Sequence, residues 1–320
     1  MRIDVVNLES REYKELFIKI GSFFNSVEWI KVFNSNIEVY GIYDKGNKLI
    51  GFFNLYIEKK YGLTHLKNPP FSPSIALSFV NPSSNPSKKQ SFDKSIYRLV
   101  QEFISEKNAS IVTLTLPVQH IDMQPFIWEG FKVVPNYTYH LLLSEISEEG
   151  ILKQFSPERR NDIKKALKDG VVCEQSNDYS LVKKMVEFTY NRKGKQLKSE
   201  LLSSILEQMD SENSFAYVSY LNNKPIAAAF VVYDKNTAYY LLGGYDPKNR
   251  HQGAGALSVY NAIIHSKKLG VKIFDFEGSM LPEVERYFRG FGGELKTMFT
   301  LNKALFPIEV VLKHYKRSIF

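Results

Sequence analysis

The chain has 320 residues, with 44% hydrophobic side chains, 14% aromatics and a formal net charge of +8. That much apolar surface excludes global disorder, and the length suits two domains better than one or three. The positive balance fits an anionic partner such as a nucleotide, coenzyme A, RNA or a membrane headgroup, and fits an ordinary lysine-rich surface equally well.

One cysteine, Cys173, excludes an intramolecular disulfide and fits a reducing compartment. The N-terminus lacks the apolar run of a signal peptide. No stretch approaches the roughly 20 apolar residues of a membrane span. A soluble, cytoplasmic protein is expected.

Two stretches half a chain apart look alike. Glu38–Glu58 and Ala216–Asn236 each read as a β-rich run, a polar turn and a second β-rich run, that is, a hairpin. The pair predicts a duplicated α/β (α+β) fold, with two domains in tandem. After the first hairpin, Lys67–Ser91 is rich in Pro and Ser and reads as loop. A helix around Ser91–Glu106, a strand at Ile111–Leu116, a short helix near Met123–Gly130 and strand material at Phe131–Leu143 follow.

Ser156-Pro157 is a helix start, and Gly170 a stop. More helix is expected over Leu181–Tyr190 and Ser199–Met209. The second copy then reads as strands at Phe215–Leu221, Ile226–Tyr233 and Thr237–Gly243, a helix over Gly253–Lys268 and a strand at Val271–Phe276. A helix over Glu283–Arg289 and a strand over Glu294–Asn302 close it. That order is an antiparallel meander feeding one βαβ crossover. The boundaries are placed at 1–150 for the first domain and 151–320 for the second, the latter beginning with a helical linker, 151–210. The tail from Leu305 is basic and amphipathic, and reads as a docking helix or an interfacial one.

Arg250-His251-Gln252-Gly253-Ala254-Gly255 lies where a strand has ended and a helix begins. Glycines allow close approach of a ligand, and the free N–H groups of a helix start favour an anion. Arg250 adds a charge-assisted contact. The spacing has neither the third glycine of a Rossmann turn nor the Gly-Lys-Ser/Thr of a P-loop. A plain strand-to-helix turn is the other reading. The pattern Arg/Gln-x-x-Gly-x-Gly/Ala resembles the acyl-CoA pyrophosphate loop of GNAT-type N-acyltransferases, with Arg250, Gln252, Gly253, Ala254 and Gly255 as its residues.

Ile273–Lys303 is the most informative stretch. Period-two alternation puts Phe274 and Phe276 on one strand face, towards the core, and Asp275 and Glu277 on the other. Adjacent carboxylates raise each other's pKa, which suits a general base. Hydrogen bonding to backbone at the strand end is the alternative for both. In Tyr287-Phe288-Arg289-Gly290-Phe291-Gly292-Gly293, Tyr287 is a candidate acid or a core residue, and Arg289 a phosphate contact or a solvated charge. Arg160, Lys164 and Lys168 share one helix face, as a grip on an anionic acceptor or as a solvated row. The six histidines show no metal-ligand spacing, and no metal is expected.

Phe-Asp-Phe-x-Gly followed by Tyr-Phe-Arg-x-Phe-Gly-Gly resembles the Fem-type branch of the GNAT superfamily. So do Ser156–Val171, with Arg160, Ile163, Lys165, Ala166 and Gly170 in an R-x-x-I-x-K-A-x-x-x-G pattern, and Thr189–Lys195. The resemblance covers roughly Ser156 to Lys303. It implies two GNAT-like domains, each a mixed, mainly antiparallel sheet flanked by helices, the first of them degenerate and on the acceptor side. It further implies transfer of an acyl or aminoacyl group to an amine of a cell-envelope precursor or a polysaccharide or lipid intermediate, at the cytoplasmic face of the membrane. The donor is acyl-CoA or aminoacyl-tRNA. The coiled-coil insertion of some tRNA-using members has no counterpart here, and Arg289 stands where the peptidoglycan branch has Lys. A non-catalytic CoA-binding module is the remaining reading.

Overall fold

The two look-alike hairpins each lie one strand in from the end of a run of six neighbouring strands, and the two runs, one in each half of the sheet, have the same strand order. A computed structural model describes residues 1–192, 199–278, 280–316 and 318–319. In the first sheet β1 (Arg2–Val5), β2 (Ile37–Tyr43), β3 (Leu49–Lys60) and β4 (Leu63–Lys67) are successive antiparallel neighbours, and the short β5 (Ser78–Phe79) adds to β3. Helices α1 (Arg11–Ile20) and α2 (Val27–Lys31) separate β1 from β2 along the chain. Helix α3 (Pro86–Glu106) crosses over to β6 (Ile111–Leu116), which runs parallel to β4, and α4 (Gln124–Trp128) follows.

The second sheet opens with β7 (Lys132–Leu142). Helices α5 (Glu148–Gln154) and α6 (Pro157–Lys168), strand β8 (Val172–Ser176), and helices α7 (Tyr179–Arg192) and α8 (Ser199–Gln208) come next. Strands β9 (Ser214–Leu221), β10 (Lys224–Tyr233) and β11 (Thr237–Tyr245) complete an antiparallel run from β8. Helix α9 (Ala254–Lys268) crosses to β12 (Ile273–Asp275), parallel to β11, and β7 pairs antiparallel with β12. Helix α10 (Pro282–Arg289), β13 (Glu294–Ala304) and α11 (Phe306–Tyr315) end the described elements. Residues Phe299–Ala304 of β13 pair antiparallel with β6. Both copies therefore run meander, crossover helix, parallel strand, antiparallel closing strand.

The chain divides into Met1–Asn136 with Thr297–Phe320, and Tyr137–Lys296. This differs from a split at residue 150. His140–Leu142 of β7 belong with β12, and the end of β13 belongs with β6, because ladder partners bury their side chains together. A second difference is the start of α3, which the Pro- and Ser-rich sequence hides. The helix begins at Pro86, and the Asn85 side chain accepts the Lys88 N–H as its cap.

Each unit has its own core. Tyr40, Phe53, Ile96, Val100, Leu114 and Phe126 fill the first. The second contains Ile163, Ala254, Phe274, Phe276, Phe288 and Phe291. Phe274 and Phe276 sit on one face as the alternation predicts, with ring centroids 5.1 Å apart. Burial raises the Cys173 thiol pKa, so it sits as a small packed side chain rather than as a thiolate. Among the described residues no helix is long and apolar enough to cross a membrane, and no cluster of His, Cys, Asp and Glu has the arrangement of a metal site.

Candidate active site

Strands β11 and β12 part company early. Their ladder has partners only from Thr237↔Ile273 to Tyr239↔Asp275, while β11 runs on to Tyr245. The β10–β11 register slips between Phe230 and Val232, which places an extra β11 residue near Tyr240. Such a bulge bends the strand and increases its twist. The opening therefore lies at the carboxyl ends of two parallel strands, where open α/β sheets accept ligands.

The turn after β11 is fastened to α6. The Gln252 side-chain amide donates to Asp162 Oδ1 at 2.8 Å, and His251 Nε2 donates to Asp169 Oδ2 at 3.1 Å. His251 Nδ1 in turn accepts the Gly253 N–H, and the His251 carbonyl accepts the Ala254 N–H. Gly253 has φ −100°, so it is not there for a left-handed turn. It is there because a Cβ would stand 1.9 Å from the Asp162 carbonyl oxygen.

With those two amides engaged, the free donors at the start of α9 shift one residue on. No side chain caps α9, and among the described residues the Gly255 and Ala256 N–H groups have no partner. They carry the partial positive charge of the helix start. Arg250 is exposed, with its guanidinium 5.5 Å from the centroid of the Tyr245 ring.

The two carboxylates have different environments. Asp275 is buried and fully engaged. Its Oδ1 accepts from Thr138 Oγ1 at 2.5 Å and from the Glu277 N–H at 2.8 Å, and its Oδ2 accepts from His140 Nε2 at 3.1 Å. Glu277 lies past the strand end with φ +54°, a left-handed conformation uncommon for a glutamate. The residue keeps some exposed surface, but its Oε1 is enclosed and makes no hydrogen bond. Burial first, and then the charge of Asp275, push its carboxyl well above the ordinary carboxylate range. A partly accessible carboxyl with a raised pKa suits a proton acceptor.

Tyr287 of α10 reaches the same turn. A Cβ built at Gly255 would lie 3.4 Å from its hydroxyl oxygen. Its ring packs against Phe288 and Phe291, and the Arg159 guanidinium lies 4.8 Å from its centroid. Burial raises the phenol pKa most, Tyr240 adds to that, and Arg159 opposes it. The hydroxyl therefore keeps its proton at neutral pH. Arg159 is itself buried, bonded to Asp162 at 2.9 Å.

The remaining expected contacts point elsewhere. Arg289 Nε pairs with Glu285 along its own helix at 2.8 Å. Arg160 donates to the Phe155 carbonyl at 2.7 Å, satisfying the end of α5. Lys164 is exposed on α6. The basic string Arg192–Lys195 runs into residues 193–198, outside those described.

Thr138, His140 and Asp162 are residues of the candidate site that sequence reasoning missed, and Arg159, which the sequence groups with the basic row of α6, packs on Tyr287 and Asp162. The period-two placement of Thr138 and His140 on β7 and the i, i+3 pair Arg159 and Asp162 are their only traces.

Residues 160–289 match the Acetyltransferase (GNAT) domain family. No curated protein sequence matches the chain. Among solved structures, FemX is similar with a TM-score of 0.68 at 13% identity, over 98% of this chain and 100% of that one. L-PGS from Bacillus licheniformis is similar at 0.58 and 12%, over 97% of each chain. A Bacteroides thetaiotaomicron protein of unknown function matches at 0.61 and 11%, over 94% of this chain and 98% of that one. The second unit thus carries a transferase domain of the GNAT class. The chain as a whole has a Fem-like fold.

Proposed function

We propose that the protein is an N-acyltransferase that moves an acyl group from acyl-CoA to an amine of a cell-envelope precursor or a polysaccharide or lipid intermediate, working in the cytoplasm at the membrane face. One juxtaposition carries the reading: the unpartnered Gly255 and Ala256 amides stand beside the protonated Tyr287 hydroxyl, in a domain of GNAT class. The amides hold the donor pyrophosphate, and Arg250 supplies a mobile cation at the rim.

The acceptor nitrogen attacks the thioester carbonyl, and Glu277 takes the proton that the nitrogen loses. Asp275, fixed by Thr138 and His140, positions Glu277 through its backbone N–H and adds the negative charge that raises its basicity. The C–S bond breaks, and the departing sulfur receives a hydrogen bond from Tyr287 and then a proton from water. Positioning and directed donors supply the rate.

A second reading is an aminoacyl-tRNA donor for a peptidoglycan bridge. Its support is the exposed Lys164, Lys165 and Lys168 on α6, the helix to which the turn is fastened.

Calorimetric titration of CoA and acetyl-CoA into wild type and Gly255→Glu tests the donor. Position 255 is the right probe because a Cβ there meets only the Tyr287 hydroxyl, whereas any side chain at 253 strikes α6. Micromolar binding, weakened at least about tenfold by the added carboxylate, is expected. Equal affinities for the two proteins would remove the turn from the donor site. No CoA binding, with salt-sensitive aminoacyl-tRNA binding instead, would establish the second reading.

A further inference from the structure

One end of the first unit's sheet carries an apolar and basic surface that none of the unit's described residues covers. Strands β3 and β4 meet in a tight turn at Tyr61-Gly62. Tyr61 is 91% exposed with the Lys60 ammonium 5.1 Å from its ring centroid, and Lys59 and Leu63 are exposed beside it.

The register brings α11 to this same end. His65 of β4 stands opposite Ile111 of β6, and Ile111 opposite Ala304 of β13, two residues before α11 begins. The helix then returns towards β4. Lys316, just past its last turn, is close enough to His65 that its charge, after burial and Lys67, helps lower the imidazole pKa.

Helix α11 has no buried residue. Ile308, Glu309 and Leu312 form its half-buried side. Its outer side shows Phe306 at 81% exposure, Val310 and Val311 at 54% and 55%, and Tyr315 at 79%, an arc of four large apolar side chains. Two acidic side chains at this end are neutralised locally, Glu309 by Lys313 at 2.5 Å and Glu58 by Lys67 at 2.8 Å, while Glu106 at the end of α3 is exposed. Lys59, Lys60 and Lys316 have no acidic partner among the described residues, so the patch is apolar with a net positive rim.

We propose that this end of the first unit docks on a bilayer surface rich in anionic phospholipid, with Phe306, Val310, Val311 and Tyr61 entering the headgroup boundary and the lysines meeting the phosphates. Charge complementarity selects this occupant. Two copies meeting on the same patch about a two-fold axis would set lysines against lysines, which disfavours self-association. An anionic interface satisfies the lysines and the apolar arc together, and the amphipathic tyrosines suit the headgroup layer. The inference does not depend on the chemistry assigned to the second unit.

Co-sedimentation of the full chain with phosphatidylcholine vesicles, with and without equimolar phosphatidylglycerol, tests it. Binding to the mixed vesicles is expected to exceed binding to phosphatidylcholine alone by about tenfold or more, and to fall in high salt. A Phe306→Ser, Val310→Ser double variant should lose most of that binding. Lys60→Gln should weaken it roughly fivefold on anionic vesicles only. All these side chains are exposed, so unchanged circular dichroism melting is expected for each variant. No binding to the mixed vesicles, or equal binding by the double variant, would overturn the proposal. A wild-type dimer in sedimentation velocity that the double variant abolishes, without vesicle binding, would overturn it in favour of a second copy.

Discussion

Glu277→Gln is expected to slow acyl transfer by about 100- to 10,000-fold, the usual range for loss of a general base. The assay is thiol release from acetyl-CoA with an amine acceptor, and CoA affinity should be unchanged. The pH profile adds a second signature. Only the ionised carboxyl accepts a proton, and its pKa is raised, so wild-type rate should climb with pH through that elevated value. The variant should lose this limb.

Stability should move with it. A carboxyl whose folded pKa exceeds its unfolded value of about 4.3 stabilises the fold in its protonated form. That contribution is complete below the unfolded pKa and is lost as pH rises through the folded one. The melting temperature of Glu277→Gln, relative to wild type, should therefore rise with pH across the same window. Undiminished turnover, or melting curves that run parallel at every pH, would remove Glu277 as the base.

Gly253→Ala should destabilise the second unit by about 1–3 kcal/mol, as overpacking does, since the new methyl would stand 1.9 Å from the Asp162 carbonyl oxygen. Backbone cannot swing aside as a side chain can, so either the turn or α6 must move. Several degrees of melting temperature and most CoA affinity should go together. Gly255→Ala is the control. It meets only the Tyr287 hydroxyl, at an ordinary 3.4 Å, and gains helix propensity inside α9. It should melt no lower than wild type. If both substitutions behave alike, the close approach of turn and helix is not what Gly253 provides.

These two glycines mark what was legible in the sequence. The motif located the turn and the helix after it, because glycine spacing is local. The reason for Gly253 was not legible, since the atom it must avoid belongs to a helix about 90 residues earlier. The duplicated hairpins were visible because side-chain period and turn residues are local too, and the common strand order follows from them. The sequence pattern singled out Glu277 as a carboxyl near Asp275, but simple alternation put both on one strand face. The strand stops at Asp275, and Glu277 turns left-handed beyond it. Thr138 and His140 lay beyond reach because a β7–β12 ladder pairs residues about 135 apart.

The copies also differ at their crossover helices in a way the sequence shows only in hindsight. Helix α3 starts with Pro86 under an Asn85 cap, which leaves fewer free donors. Helix α9 starts with no side-chain cap. The difference favours the second copy as the side for the proposed donor.

The return of the chain to its first sheet has a consequence for biogenesis. Thr115 of β6 meets Thr300 of β13 across 185 residues, whereas the second unit is one unbroken segment. During synthesis the second unit can complete itself as soon as it emerges. The first must wait for β13, leaving that backbone edge of β6 unpaired until then. Of the two units, the one begun earlier is thus the one finished later, and this is the interval in which a translational pause or a truncated message would expose the chain to aggregation.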